Sequence, residues 1–366
     1  MSILQKSAKM RKAFTLIEMV VALGILAIVM SFAGTIFRVG IDSHRLALAN
    51  AEIMQKLRAI TEQLDLDFRG LRKEGEILVF WRAQRKANYT GPNRNAEEAF
   101  DRFDRIMFFA DGDFQTYRAN PTVRGSMARI CYALANGPSA NPSEPNRPQM
   151  QKPERRVLAR TEHILVAPPA TANPDDPLGT GKFTDDQWRN WMSNTEYDAI
   201  SIRGWELIPL ARKVDILSVI GDVEVGLGGQ ITSKKDVTAG GVTLDPAKPE
   251  SLHSFMCRGV GQFEVQGWSD AEQRWIPQVN PDGDADLKDD SDFVLEGDDL
   301  HPRQIPGLWY PRGPAVLGTR QTSTLDADFN KIPGLGRALK FTFTLYDSRG
   351  LIKSGRTFTH IVYLDD

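Results

Sequence analysis

The stretch KMRKAFTLIEMVVALGILAIVM, Lys9 to Met30, decides how the rest of the chain is read. A basic cluster leads into a long apolar run, and one acid, Glu18, stands near its start. From Ala13 to Phe37 Glu18 is the sole charged residue, and Met19 to Phe37 carries none. A helix rises roughly 1.5 Å per residue, so Ala13 to Phe37 is long enough to cross a bilayer core of about 30 Å. The positives Lys6, Lys9, Arg11 and Lys12 precede the run. They should stay cytoplasmic, which predicts that everything after the span is exported. A carboxylate inside such a segment is costly unless it is paired.

Two ordinary explanations compete with a more specific one. A secretory signal would be cut after the apolar run, and Ser31-Phe32-Ala33 offers a small-x-small site. The run, however, exceeds the usual apolar core of about 7–15 residues, and a glutamate inside it is unusual. A plain signal anchor would hold Glu18 near the cytoplasmic interface.

The specific explanation is a resemblance. KAFTLIEMVVALGILAIV resembles the processing site of the type IV pilin and type II secretion pseudopilin superfamily. Members have a short basic leader, a small residue, then Phe-Thr-Leu-Ile-Glu and an apolar helix. The resemblance implies a leader over residues 1–13, cleavage by prepilin peptidase between Ala13 and Phe14, and N-methylation of Phe14. The residue before the cut is usually Gly, and here it is Ala13. It also implies a partner for Glu18: the cationic amine of Phe14 on a neighbouring subunit, which would turn the cost of a buried acid into an assembly signal. On its own helix the Phe14 amine lies four positions from Glu18, on the same face.

After the membrane half, 14–37, the pattern turns amphipathic over 38–75. Ile53, Leu57, Ile60, Leu64, Phe68 and Leu71 recur every three or four residues, with Glu52, Lys56, Arg58, Glu62, Asp65 and Arg69 between them. No proline interrupts residues 14–90, so one helix from Phe14 to about Gly70 is expected, with bends at Gly24, Gly34 or Gly40 and stop signals at Gly70 and Gly75.

From Glu76 onward the chain reads as strands and loops. Glu76–Arg82, Arg105–Arg118 (as a hairpin turned at Asp111-Gly112-Asp113), Met127–Ala135, Arg156–Ala167 and Val214–Leu227 are expected strand regions. Gly259–Gln278 reads as a hairpin. Ala338–Leu364 alternates at period two, turns at Asp347–Gly350 and returns. The predicted fold is therefore α+β and pilin-like: one long N-terminal helix packed on a β-rich head over 76–366, with inserted loops near 136–153, 168–190 and 280–336.

Within the superfamily the order of features is similar to minor pseudopilin J of type II secretion. The similarity rests on LDLDFRGLR (Leu64–Arg72), RICYALA (Arg129–Ala135), RVLAR (Arg156–Arg160), a hairpin carrying Gly259, Val260, Phe263, Trp268 and Trp275, and the closing strands GRALKFTFTLYD and RTFTHIVYL. It implies a structural subunit that primes or caps a periplasmic pseudopilus for protein export. Its partners would be major and minor pseudopilins and an inner-membrane assembly platform. Its place would be the inner membrane, single-pass, with a cytoplasmic N-terminus and a periplasmic head. Alternatives in the superfamily are a minor pilin, an adhesin, or a pilin-like protein of verrucomicrobial and planctomycete-type gene cassettes.

The remaining chemistry is thin. Formal net charge is −2, and the four leading positives leave the body mildly acidic, which argues against nucleic acid as partner. Asp282, Asp284, Asp286 and Asp290 alternate as calcium ligands do, but the EF-hand pattern fails, because Leu287 and Phe293 stand where Gly and an acid belong. The readings there are a looser calcium loop or a solvated acidic loop, and no other cofactor is expected. PLGTGKFT (Pro177–Thr184) lacks the first glycine and the hydroxyl residue of a phosphate loop. The five histidines (His44, His163, His253, His301, His360) form no HExxH or HxH, and Gly-x-Ser-x-Gly is absent. A non-catalytic protein is expected, with a membrane-anchored hydrolase as the enzyme alternative. The seven tryptophans (Trp81, Trp188, Trp191, Trp205, Trp268, Trp275, Trp309) suit core or loop anchors, or a sugar-binding surface. Cys131 and Cys257 are either a disulfide of an exported domain or two separate buried thiols.

Overall fold

The computed structural model describes residues 15–72, 77–80, 83–85, 100–117, 121–138, 151–166, 196–198, 202, 224–225, 231–233, 244–247, 249–269, 273–276, 295–296, 307–310 and 337–364. The chain divides into two compact units, Met1–Ala51 and Glu52–Asp366. Its helix, α1, is Leu16–Arg69 and runs unbroken through Gly24, Gly34 and Gly40. In the first unit α1 is the described element, and its large apolar side chains are exposed from Leu16 to Leu48.

The second unit holds the rest of α1 and the strands β1 (Ile77–Phe80), β2 (Ala83–Arg85), β3 (Phe100–Arg102), β4 (Arg105–Gln115), β5 (Arg124–Leu134), β6 (Val157–Leu165), β7 (Tyr197–Asp198), β8 (Glu224–Val225), β9 (Ile231–Ser233), β10 (Phe255–Arg258), β11 (Val260–Ser269), β12 (Arg274–Ile276), β13 (Leu295–Glu296), β14 (Gly307–Tyr310), β15 (Ala338–Leu345) and β16 (Arg356–Tyr363). One sheet has the order β10-β6-β5-β4-β1-β14, with β7 added beside β6. A second has the order β12-β11-β15-β16. The α+β, pilin-like architecture expected from the sequence is the one observed.

The amphipathic stripe packs as its spacing requires. Ile53, Ile60, Leu64 and Phe68 are buried, and Leu57 and Leu71 pack against the same core. Phe68 stacks on Phe108 of β4 (ring centroids 4.3 Å apart) and meets Phe341 of β15 at 5.6 Å, so one helical side chain contacts both sheets. α1 ends because Gly70 leaves the helix and joins β4: the Asp111 N–H donates to the Gly70 carbonyl at 2.6 Å, and the Arg72 N–H to the Phe109 carbonyl at 2.8 Å. A Cβ at position 70 would collide with the Asp111 carbonyl oxygen, so glycine is needed for this close approach.

One expectation is corrected. Asp111-Gly112-Asp113 is not a hairpin turn. β4 continues to Gln115, and the register with β5 shifts between Asp111↔Met127 and Phe114↔Gly125, so two residues of β4 face one of β5. That is a bulge, which glycine and aspartate suit as well as they suit a turn. The region 280–336, expected as an inserted loop, carries two described strands. It contributes β13, parallel to β2, and β14, whose Gly-Leu-Trp-Tyr pairs along all of β1. Of the expected strand Val214–Leu227, β8 is the described part. Of the expected loop 136–153, residues 139–150 lie outside the described residues, as does the whole of 168–190.

β4 and β5 read as continuous apolar runs because both faces of their sheet are buried. Ile106, Phe108, Ile130 and Tyr132 face the helix side, while Met107, Phe109, Cys131 and Ala133 are as deeply buried on the other. β15 and β16 form the expected closing hairpin, with eight residues in unbroken register from Ala338↔Tyr363 to Leu345↔Arg356. Their connection is longer than the four-residue turn expected and uses positive φ at Gly350 and Gly355.

Candidate functional site

The start of α1 is organised around Glu18. Thr15 Oγ1 accepts a hydrogen bond from the Glu18 N–H (3.3 Å), and Glu18 Oε2 accepts from the Thr15 N–H (2.9 Å) and hydroxyl (3.0 Å). This is a reciprocal capping box: Thr-Leu-Ile-Glu supplies the hydroxyl residue at the cap and the acid three positions on. The expectation built on Glu18 alone overlooked Thr15, although the T-x-x-E spacing is legible in TLIE. The acid therefore has a local role besides any intersubunit one. It satisfies a helix-end donor, and its charge faces the positive end of the helix dipole.

Beyond the cap the helix is long and apolar enough to cross a membrane. Its side chains are bare: Leu16 is 83% exposed, Ile36 71% and Phe37 72%. An apolar surface of that extent is not left in water, and lipid or other apolar helices must cover it. Residues 8–34 match the family model described as the prokaryotic N-terminal methylation motif. This chain carries a prepilin-type motif. The motif supports the type IV pilin and pseudopilin superfamily, and with it membrane anchoring, processing by prepilin peptidase and assembly with pilin-like subunits in general. No curated protein and no solved structure matches the chain. The cleavage residues Ala13 and Phe14 lie outside the described residues, and Glu18, at the head of α1, lies within them.

In the second unit, three of the short sequence features used for the finer resemblance meet at one point. Asp67 of LDLDFRGLR, Tyr132 of RICYALA and Arg160 of RVLAR form a hydrogen-bonded cluster. Arg160 donates from Nε to Asp67 Oδ2 and from Nη2 to Asp67 Oδ1, both at 2.7 Å, a bidentate pair. The Tyr132 hydroxyl donates to Asp67 Oδ2, and Gln63 Nε2 donates to Asp67 Oδ1 at 3.0 Å. Arg160 Nη1 also meets Glu162 at 2.8 Å. Burial, together with the Asp67 charge, pushes the Tyr132 phenol well above its ordinary value. The Arg160 guanidinium is destabilised by burial, but its bonds to Asp67 outweigh that and raise it further. The cluster ties the helix to β5 and β6 on an otherwise apolar face.

A second tie lies one face away. Lys56 Nζ donates to the Tyr346 carbonyl (2.7 Å) and pairs with Glu52 at 2.8 Å, while Glu52 accepts from the Ser348 N–H and hydroxyl, each at 2.9 Å. Burial alone would raise the Glu52 carboxyl, but these bonds prevail and hold it below its ordinary value. The adjoining loop is folded around Asp347, which is buried and accepts from the N–H groups of Arg349, Leu351 and Ile352. Burial again opposes its charge, and the three donors again lower it. His360 Nε2 lies 2.8 Å from Asp65, a further polar contact between helix and sheet. Between the two sheets, Arg102 forks onto Asp104 (2.6 Å at its shortest) and reaches Glu264.

The other candidate residues separate cleanly. Cys131 and Cys257 are both buried and share no disulfide in the structure. β6 lies between their strands, and their partners on it, Thr161 and Leu158, are three residues apart, so the two cysteines stand on opposite faces of the sheet and beyond a disulfide's reach of about 7 Å. Burial pushes each thiol up to about 11. Cys131 and His163 are diagonal neighbours across β5 and β6, but a buried, protonated thiol is a poor nucleophile. Asp282, Asp284, Asp286 and Asp290 lie outside the described residues, as do Trp81, Trp188, Trp191 and Trp205. Among the described residues no three His, Cys, Asp or Glu side chains converge as metal ligands would. Trp268 and Trp275 form a cross-strand edge-to-face pair 5.3 Å apart, with the Lys340 ammonium 5.1 Å from the Trp275 ring.

Proposed function

We propose that this chain is a structural, non-catalytic minor pseudopilin, most like the J subunit. In this role it would be held in the inner membrane by α1 with its β-rich part in the periplasm, and would prime or cap a pseudopilus for protein export. The observation that carries the proposal is the prepilin-type motif heading an apolar helix with bare side chains. In such a subunit the first half of the helix joins the membrane and the bundle of neighbouring helices, and the second half is a spine for the head. The buried stripe Ile53–Phe68 suits the spine role. The meeting of Asp67, Tyr132 and Arg160 supports the J-type reading, because three separate elements of that resemblance then serve one purpose, fastening the spine to the sheet. The raised pKa of both cysteines argues against a cysteine nucleophile.

The test is the mature N-terminus. Co-expression with a prepilin peptidase and mass spectrometry should find a chain that begins at N-methylated Phe14. An intact Met1, or an N-terminus near Gly34, would overturn the pilin reading. Co-purification of the full chain with the other minor pseudopilins then separates the J-type role from that of a pilus or cassette subunit, which would not enter that complex.

A further inference from the structure

The second sheet ends in an unusual edge. Among the described residues β16 is its outermost strand, bonded to β15 on one side only. The Leu364 N–H donates to the Arg337 carbonyl at 2.7 Å, which makes 337/364 a hydrogen-bonded pair of this antiparallel ladder. Bonded pairs alternate with non-bonded ones, so Val362, His360 and Phe358 also turn their backbone groups toward β15. Thr357, Thr359, Ile361 and Tyr363 turn theirs outward. The close approach of the Thr357 and Thr344 hydroxyls (2.9 Å) agrees, since side chains come nearest at non-bonded pairs. All four outward residues are exposed, Tyr363 at 67% and Ile361 at 39%. Among the described residues nothing pairs with that edge.

Edges of this kind are normally defended by brevity, bulges, proline or inward charge. The other edge strands of the two large sheets are short: β10 and β14 have four residues each and β12 has three. β10 is also bulged against β6. β16 has eight residues and no register shift against β15. Its sequence, RTFTHIVY, contains neither proline nor lysine, and its one permanent charge, Arg356, stands at the end. β-branched and aromatic residues fill the rest, the composition best suited to a strand.

We propose that β16 is a self-pairing edge, through which two copies of this chain join antiparallel to make one continuous sheet. The occupant is a second copy because the strand complements itself. With His360 on the two-fold axis, outward residues meet outward residues, Thr357 against Tyr363 and Thr359 against Ile361, and each Arg356 lies beyond the paired segment opposite Leu364. No like charges are forced together, and threonine pairs with an apolar or aromatic residue at each bonded position. A two-fold axis generates this antiparallel, isologous contact. The inference uses β16 alone and stands independently of the pilin reading.

The experiment is a cysteine scan on the full-length chain in detergent, with Thr357, Thr359, His360, Ile361 and Tyr363 replaced one at a time by cysteine and mildly oxidised. Wild type, whose own thiols are buried, is the background. Disulfide-linked dimer should peak at position 360, on the axis, fall severalfold at 359 and 361, whose symmetry mates lie two residues apart along the strand, and vanish at 357 and 363. Thr359→Lys should reduce light-scattering mass from dimer to monomer while circular dichroism stays unchanged. A flat cross-linking profile, or a dimer that survives Thr359→Lys with its fold intact, would overturn the proposal. If that variant fails to fold, Thr359→Pro, which removes an outward donor only, reads the same outcome.

Discussion

Arg160 holds Asp67 through two parallel hydrogen bonds of 2.7 Å each, across 93 residues of sequence. The pair is largely removed from water, and Tyr132 and Gln63 complete the coordination of the carboxylate. Breaking such a pair from one side leaves a charge without compensation, which costs more than the pair contributes intact.

Asp67→Ala should therefore destabilise the protein by about 3–5 kcal/mol. Tyr132→Phe, which removes one donor and leaves the ion pair, should cost only about 1–2 kcal/mol. Denaturant unfolding of the full chain gives both values. Equal losses would mean that the ion pair is not the anchor.

At alkaline pH the protein should weaken in a defined window. Tyr132, Cys131 and Cys257 all hold their protons longer when folded than when unfolded, with both thiols at about 11. The stability they contribute is complete below their ordinary values and is lost as pH rises through the folded ones. For the thiols that window runs from about pH 9 to 11. Unfolding free energy plotted against pH should fall there, and the combined change Cys131→Ala and Cys257→Ala should flatten the slope, leaving the part due to Tyr132.

At acid pH the sign reverses. Glu52 and Asp347 are both held below their ordinary values. Their stabilisation is present above about pH 4 and is lost as pH falls through the lowered values. Asp347→Asn should reduce the acid slope and loosen the loop, seen as faster amide exchange at Arg349, Leu351 and Ile352, whose donors it now satisfies.

Thr15 and Glu18 should separate folding from assembly. Thr15→Ala removes the cap, at about 1 kcal/mol of helix stability. Glu18→Ala should leave the chain inserted and folded but poor at joining a filament, and Glu18→Gln, which keeps the shape and loses the charge, should behave likewise. Filament incorporation is the readout. Normal incorporation of Glu18→Gln would sink the idea that its charge pairs with a neighbour's amine.

Much of the fold was legible because it is local. The stripe Ile53, Leu57, Ile60, Leu64, Phe68 announces its own buried face at helical spacing, and KFTFTLY announces a strand by alternation. The bulge at Gly112-Asp113 was not legible, because turn and bulge draw on the same residues and differ only in what lies opposite. β14 was missed for a related reason: four residues in a long polar stretch become a strand only because β1 has an edge to offer.

By itself the sequence determined the superfamily-type motif, the long helix, the acid at its cap and the strand-rich class of the region beyond the helix. These are set by runs, spacings and caps within a few residues. The tertiary structure alone decided that Asp67, Tyr132 and Arg160 meet, that the cysteines stay apart, and that β16 ends a sheet with its backbone groups turned outward. Each of those depends on strand order and register, which arise when distant segments bury one another and which local periodicity does not encode.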